Sequence, residues 1–200
     1  MTMPPENNEA SSMSEALLMA LGNLDRAERE QAIEQAAETA DPEGLVDLIA
    51  AEDAVRRNAA LDALTKGGRR SVPALLGALG DPDPEVVMFA ASTLGRTRDA
   101  TAVPHLCRLL RHEDINVAQA AIESLGLLRA SAALDPLGEL LGGDPWLRFA
   151  VVHTLGEIGS PTSVRTLLGM LAETDARESA IEALGKIAIS RCIYSSPATR

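Results

Sequence analysis

One spacing constrains this chain more than any other. Counting back eleven residues from the Leu of three Leu-Gly pairs lands on an aspartate: Leu94 gives Asp83, Leu125 gives Asp114 and Leu155 gives Asp144. Leu64 and Ala36 obey the same rule in weaker copies, giving Asp53 and Asp25. The five aspartates stand 28, 30, 31 and 30 residues apart, in a chain that holds twelve. A near-constant period of this size marks a stacked repeat, in which no unit buries its apolar face without a neighbour.

Each aspartate has a physical reason to open a helix. The first N–H groups of a helix lack partners, and a carboxylate at the cap accepts from them and complements the dipole. Pro84 and Pro145 follow at the first helical position, where a missing N–H costs nothing. Apolar residues then fall at +3, +7, +8 and +11 from the aspartate: Val86, Ala90, Ala91 and Leu94 in the third repeat. The fourth repeat supplies Val117, Ala121, Ile122 and Leu125, and the fifth Leu147, Val151, Val152 and Leu155. These positions share one helical face. Gly95, Gly126 and Gly156 are expected to take the left-handed conformation that ends the helix. A second apolar helix follows in "SVPALLGAL", "AVPHLCRLL", "AALDPLGELL" and "TSVRTLLGML". Each unit reads as helix A, turn, helix B.

Composition agrees. The chain is 46% apolar and only 2% aromatic, so its core is Ala, Leu, Val and Ile, which suits close helix packing better than sheet. No apolar run approaches a membrane span, and the N-terminus lacks the pattern of a signal peptide, so a cytoplasmic location is expected. Cys107 and Cys192 have neither a disulfide framework nor metal-ligand spacing. The net charge of −11 lies wholly in residues 1–55, which hold 13 acids against Arg26 and Arg29. That balance excludes general nucleic-acid binding.

The ends extend the pattern. "LLMALGNLD" at 17–25 matches "LLGALGDPD" at 75–83, so Ser14 to Leu21 is expected to be a lone B helix. Residues 1–12 are expected to be a disordered tail, 13–189 the repeat domain and 190–200 an irregular tail. "ESAIEALGKIAI" supplies a sixth A helix without its B helix, leaving an uncapped half repeat whose apolar flank is expected to be covered by a partner, by a second copy in a homo-oligomer, or by further chain.

The segment "DPDPEVVMFAASTLGRTRDATAVPHLCRLLR" resembles the short HEAT-type repeat of the phycobilin lyase-like group of bacterial repeat proteins. The likeness runs over about 14–189 and is strongest over 51–172. It implies an all-α, right-handed solenoid of five antiparallel helical hairpins with a half unit at each end, A helices convex and B helices concave. It also implies a scaffold that grips another protein. Similar proteins include enzymes. A di-iron hydroxylase of this type carries His-Glu pairs on its A helices just before Leu-Gly. Here His112-Glu113 precedes the Asp114 cap and His153 is followed by Thr154, so no metal site is expected. A phycobilin lyase would need a bilin pocket. His105, Cys107 and Arg108 stand where a chromophore could be touched, but they also read as ordinary surface residues, and no cofactor is expected. Similar DNA glycosylases use a basic concave face, which the charge disfavours here.

The candidate residues are therefore for binding. Lys66, Arg69, Arg70, Arg96, Arg98 and Arg129 fall in or beside the A–B turns of three successive units. Such a ridge serves helix C-termini and solvation, or docks an acidic protein surface with arginine forks. His105 and Arg108 join it from the B helices. Trp146, the only tryptophan, has Phe149 close by. At +2 it suits packing over the preceding helix, the favoured reading, and also an interface anchor. The acidic first quarter reads as a solvated face, with steering of a basic partner as the alternative. No nucleophile, phosphate loop or catalytic carboxylate pair is legible. The chain is expected to be a non-catalytic protein-binding scaffold, with a subunit of a phycobilin lyase or lyase chaperone as the alternative.

Overall fold

The computed structural model describes residues 25–195, with side chains described through residue 190. The expected helix at 14–21 and the tail at 1–12 lie outside the described residues. Everything regular among the described residues is helical. The A helices are α1 (Arg26–Thr39), α3 (Ala54–Gly67), α5 (Pro84–Thr97), α7 (Ile115–Leu127), α9 (Pro145–Ile158) and α11 (Arg177–Ser195). The B helices are α2 (Pro42–Asp47), α4 (Val72–Ala78), α6 (Val103–Leu109), α8 (Leu134–Glu139) and α10 (Pro161–Met170). Helices A and B alternate along the chain, so the fold class is the all-α class of stacked helical hairpins. The chain divides after Asp99 into two compact units. The first stacks α1 to α5, and the second stacks α6 to α11.

All five aspartates cap as their spacing predicts. Asp25 and Glu28 form a reciprocal capping box, with N–H to carboxylate distances of 2.9 and 2.8 Å. Asp53 accepts from Val55 N–H and Asp83 from Glu85 N–H, each at 2.9 Å. Asp114 and Asp144 each accept two backbone N–H groups. The caps fix where each A helix begins and hence which face is inward. The residues at +7, +8 and +11 are all at most 1% exposed in the third, fourth and fifth repeats. One leucine per B helix (Leu45, Leu75, Leu106, Leu137 and Leu167) closes the core from the other side. Leu147 departs from the pattern and is only half-buried.

The repeat glycines do something other than end the helices. Gly95, Gly126 and Gly156 lie inside α5, α7 and α9, which continue past them. The positive φ falls at +15 instead, on Gly68 (53°), Arg98 (57°), Arg129 (48°) and Gly159 (62°). Within the second unit the glycines let neighbouring A helices touch. A Cβ on Gly126 would come within 3.3 Å of the Thr154 side chain, whose hydroxyl donates to the Ile122 carbonyl at 3.2 Å. A Cβ on Gly156 would lie 3.1 Å from Ala183 Cβ and 3.2 Å from its Cα. Leu-Gly reads as a stop signal in sequence, but its glycine is buried between helices, and the turn comes three residues later.

The last helix also corrects an expectation. It runs to Ser195, past the boundary placed at residue 189. No Gly or Pro interrupts the chain between Lys186 and Pro197, so nothing local stops the helix earlier. On its far side a Cβ at Gly185 would meet nothing, and Ile181 and Ile189 are 57% and 63% exposed.

Three outcomes follow in thermal and denaturant unfolding. Asp83→Ala costs about 1 kcal/mol, the usual loss for an N-cap. Gly185→Ala stabilises by about 1 kcal/mol through helix propensity alone. Gly156→Ala gains the same propensity but destabilises by about 1 kcal/mol net, because the crowding falls on the Ala183 backbone, which cannot swing aside.

Candidate functional site: an aromatic groove between two A helices

The expected ridge residues divide into two groups. Lys66 and Arg96 are spent on the fold. Lys66 pairs with Glu34 at 3.1 Å and Arg96 with Asp62 at 2.9 Å, each reaching the preceding A helix. Arg70 donates to the carbonyls of Ala37, Glu38 and Ala40 at 3.2, 2.6 and 2.7 Å, satisfying the end of α1. Arg69 meets Asp99 at 3.3 Å but keeps its side chain 87% exposed. Arg98 and Arg129 are exposed, and neither side chain has a hydrogen bond or ion pair among the described residues. They occupy the left-handed +15 position that glycine fills in Gly68 and Gly159. Holding a long side chain there costs about 1–2 kcal/mol.

On the B helices, Arg108 is exposed and His105 is half-buried, with its Nδ1 enclosed and unpartnered. Burial pushes the Cys107 thiol up from its ordinary value, away from a reactive thiolate. The histidines are separately engaged. His112 Nδ1 accepts from Asp114 N–H at 3.0 Å, and His153 Nε2 lies 2.8 Å from Lys186 Nζ. An ammonium only donates, so His153 accepts through Nε2. Among the described residues no three His, Cys, Asp or Glu side chains gather as a metal cage, and no helix is long and apolar enough to cross a membrane.

Trp146 does not pack over the preceding helix. It is 77% exposed, and Phe149 is 60% exposed beside it. The Asp144 carboxylate accepts the Trp146 N–H at 2.8 Å, so the cap that starts α9 also fixes the tryptophan's backbone. Positions +2, +5, +9 and +13 of α9 place Trp146, Phe149, His153 and Glu157 on its exposed stripe. The outer stripe of α7 faces them with Gln119, Glu123 and Leu127. Between the two stripes lies an open groove of about 560 Å³. Its floor is Ala150 and Thr154, its wall is the aromatic pair with half-exposed Leu127, and its rim carries Glu123 and Glu157. Gln119 donates to Glu123 at 2.9 Å and holds that carboxylate in place. The chain has one Trp, one Tyr and two Phe, so half of its aromatic residues stand on this face.

Sequence reasoning missed an arginine at +4. Arg57 donates to the Ala51 carbonyl at 3.1 Å and stacks 5.0 Å from the Phe89 ring centre. Arg177 makes the equivalent reach to Leu171 at 2.8 Å. Each ties the start of an A helix to the turn before it. The signal was an arginine six residues after that carbonyl in both repeats.

Relief of the left-handed strain gives a direct check. Arg98→Gly and Arg129→Gly each stabilise the protein by about 0.5–1 kcal/mol in denaturant unfolding, since each removes a side chain without partners from a disfavoured conformation.

A search of curated proteins finds no match to this sequence. Among solved structures, an engineered protein is similar at 20% identity and a TM-score of 0.55, over 88% of this chain and 96% of that one. YibA of Escherichia coli is similar at 20% identity and a TM-score of 0.55, over 94% of this chain and 71% of that one. The complex of CpcE and CpcF of phycocyanin lyase from Nostoc is similar at 21% identity, over 94% of this chain and 95% of that one. Its TM-score of 0.42 is too low for an argument about activity. The family model for HEAT repeats matches residues 42–114 and 108–185, most of the chain and every repeat from α2 to the sixth A helix. With capped A helices, short B helices and glycine contacts between neighbours, this chain belongs to the HEAT repeat family.

Proposed function

We propose that this protein is a non-catalytic scaffold that binds another protein, with the groove between α7 and α9 as its principal docking site. The observation that carries this reading is the exposed aromatic pair. Trp146 and Phe149 leave two apolar rings in solvent side by side on one helix, in a chain whose core is Ala, Leu, Val and Ile. Tryptophan in a pocket with a polar rim has the make-up of an interface hot spot. A stable interface buries about 800 Å² on each partner, so neighbouring surface must contribute as well. Arg69, Arg98 and Arg129, with His105 and Arg108, are the remaining candidates for that wider contact. Arg98 and Arg129 support it, because each keeps a strained backbone that glycine would relieve.

The stripe of Ile181, Gly185 and Ile189 on α11 is the place where a second copy would attach. Nothing at His105, Cys107 and Arg108 favours the alternative, a subunit of a phycobilin lyase.

The test is affinity capture from the source cells with quantitative mass spectrometry. Partners recovered by the wild type fall by about tenfold with Trp146→Ala plus Phe149→Ala, a loss of more than about 1.4 kcal/mol. Circular dichroism of the variant stays unchanged, because both side chains are exposed. Undiminished recovery of the same partners removes the groove from the interface.

A further inference from the structure

Within each of the two units, neighbouring A helices are stapled by one recurring pair of positions, and one of these four steps lacks the staple. Counting from each cap aspartate, +9 of one helix faces +13 of the next. Glu34 at +9 pairs with Lys66 at +13, and Asp62 at +9 with Arg96 at +13. Glu173 stands at the cap position of the sixth repeat, and there His153 at +9 meets Lys186 at +13. Between α7 and α9 the same positions hold Glu123 and Glu157. Both are carboxylates, and both line the groove. Glu157 has no side-chain partner among the described residues. Among the described residues neither glutamate has an ion pair. His153 is taken by Lys186, and Arg148 is turned to Asp175 at 2.6 Å.

The cavity tracks the missing staple. At the next step, the space beside the His153–Lys186 pair is about 10 Å³, with about 180 Å³ more toward the helix starts, against about 560 Å³ where two glutamates face each other. Two carboxylates at a cleft whose wall is Trp146 and Phe149 form a complementary receptor for a guanidinium or ammonium group. The acids take the charge, an aromatic face takes the cation, and Leu127 and Ala150 cover the aliphatic stem.

We infer that the groove between α7 and α9 receives an arginine or lysine side chain, beside a large apolar residue, from a basic amphipathic segment of the partner protein. The incoming cation supplies the charge partner that Lys66 and Arg96 supply within the first unit. This rests on the docking reading above and specifies the chemistry of what docks.

The full chain carries its own probe, since Trp146 is the only tryptophan. The emission of Trp146 is followed while an amphipathic peptide of leucine and arginine at helical spacing is added. Matched peptides with citrulline or glutamate in place of arginine serve as comparisons. The arginine peptide is expected to give a saturable shift in emission, and the citrulline peptide to bind at least about tenfold more weakly. Glu157→Lys rebuilds the staple found at Lys66, Arg96 and Lys186. It is expected to raise the melting temperature and to weaken the arginine peptide by about tenfold or more. Glu113→Lys makes the same charge change outside the groove and is expected to leave affinity within about twofold.

The inference is overturned if citrulline and arginine peptides bind alike, or if Glu157→Lys and Glu113→Lys weaken binding equally, which would reduce the effect to net charge. It is also overturned if the wild type self-associates in sedimentation and Glu157→Lys abolishes that, since the occupant would then be a second copy. Partner capture separates this proposal from the one it rests on. If Trp146→Ala plus Phe149→Ala loses the partners and Glu157→Lys keeps them, docking in the groove stands and the cationic occupant falls.

Discussion

The close approach of neighbouring A helices is the constraint on which this structure depends. A core of alanines and aliphatics without aromatic bulk gains its dispersion energy only if the helices come near enough to interdigitate. The small residues at +7 and the glycine at +12 permit that approach. Where Gly156 meets Ala183 the helices come so near that an added methyl group would sit 3.1 Å from the Ala183 Cβ, tighter than ordinary contact. The rest is fitted around this contact. The aspartate caps set the rotation of the first five A helices, and the short B helices each supply at least one buried leucine to seal the layer. Lys66 and Arg70 join the second repeat, and Arg96 the third, to the A helix before it.

Much of this was legible in sequence because it is local. A cap aspartate and four apolar positions on one face are dictated by the geometry of a single helix, so all five caps and most core positions read off directly. The role of the glycines was not. A Leu-Gly pair near a helix end has the same appearance whether the glycine ends the helix or lets another helix approach it. Only the neighbour decides, and Gly126 and Gly156 have one. The true turn position, +15, was hidden because two of its four residues are arginine, which no propensity rule would place in a left-handed conformation.

The binding surface was half legible. The ridge arginines were found, but sequence could not show that Arg70 and Arg96 already have partners on the preceding helix, since those pairings join residues about thirty positions apart. Trp146 was singled out for its type and then given the wrong environment. The +2 position belongs with +5 and +9, and not with the inward +3, so the cap that orders the tryptophan also turns it outward. The opposed glutamates were visible in the letters once the repeats were aligned. Their meaning needed the three completed pairs beside them as a reference.

The brevity of the B helices has a consequence for how the chain acquires its structure. Helices of six or seven residues, such as α2, α4, α6 and α8, are too short to persist alone in water. Each must form on an A helix already in place, so the elementary event is the closing of one hairpin and its docking on the last. Pairings rarely span more than about one repeat, which gives a low contact order and rapid growth from whichever hairpin nucleates first. Such a chain assembles like a zipper, and its ends are the teeth that open most often.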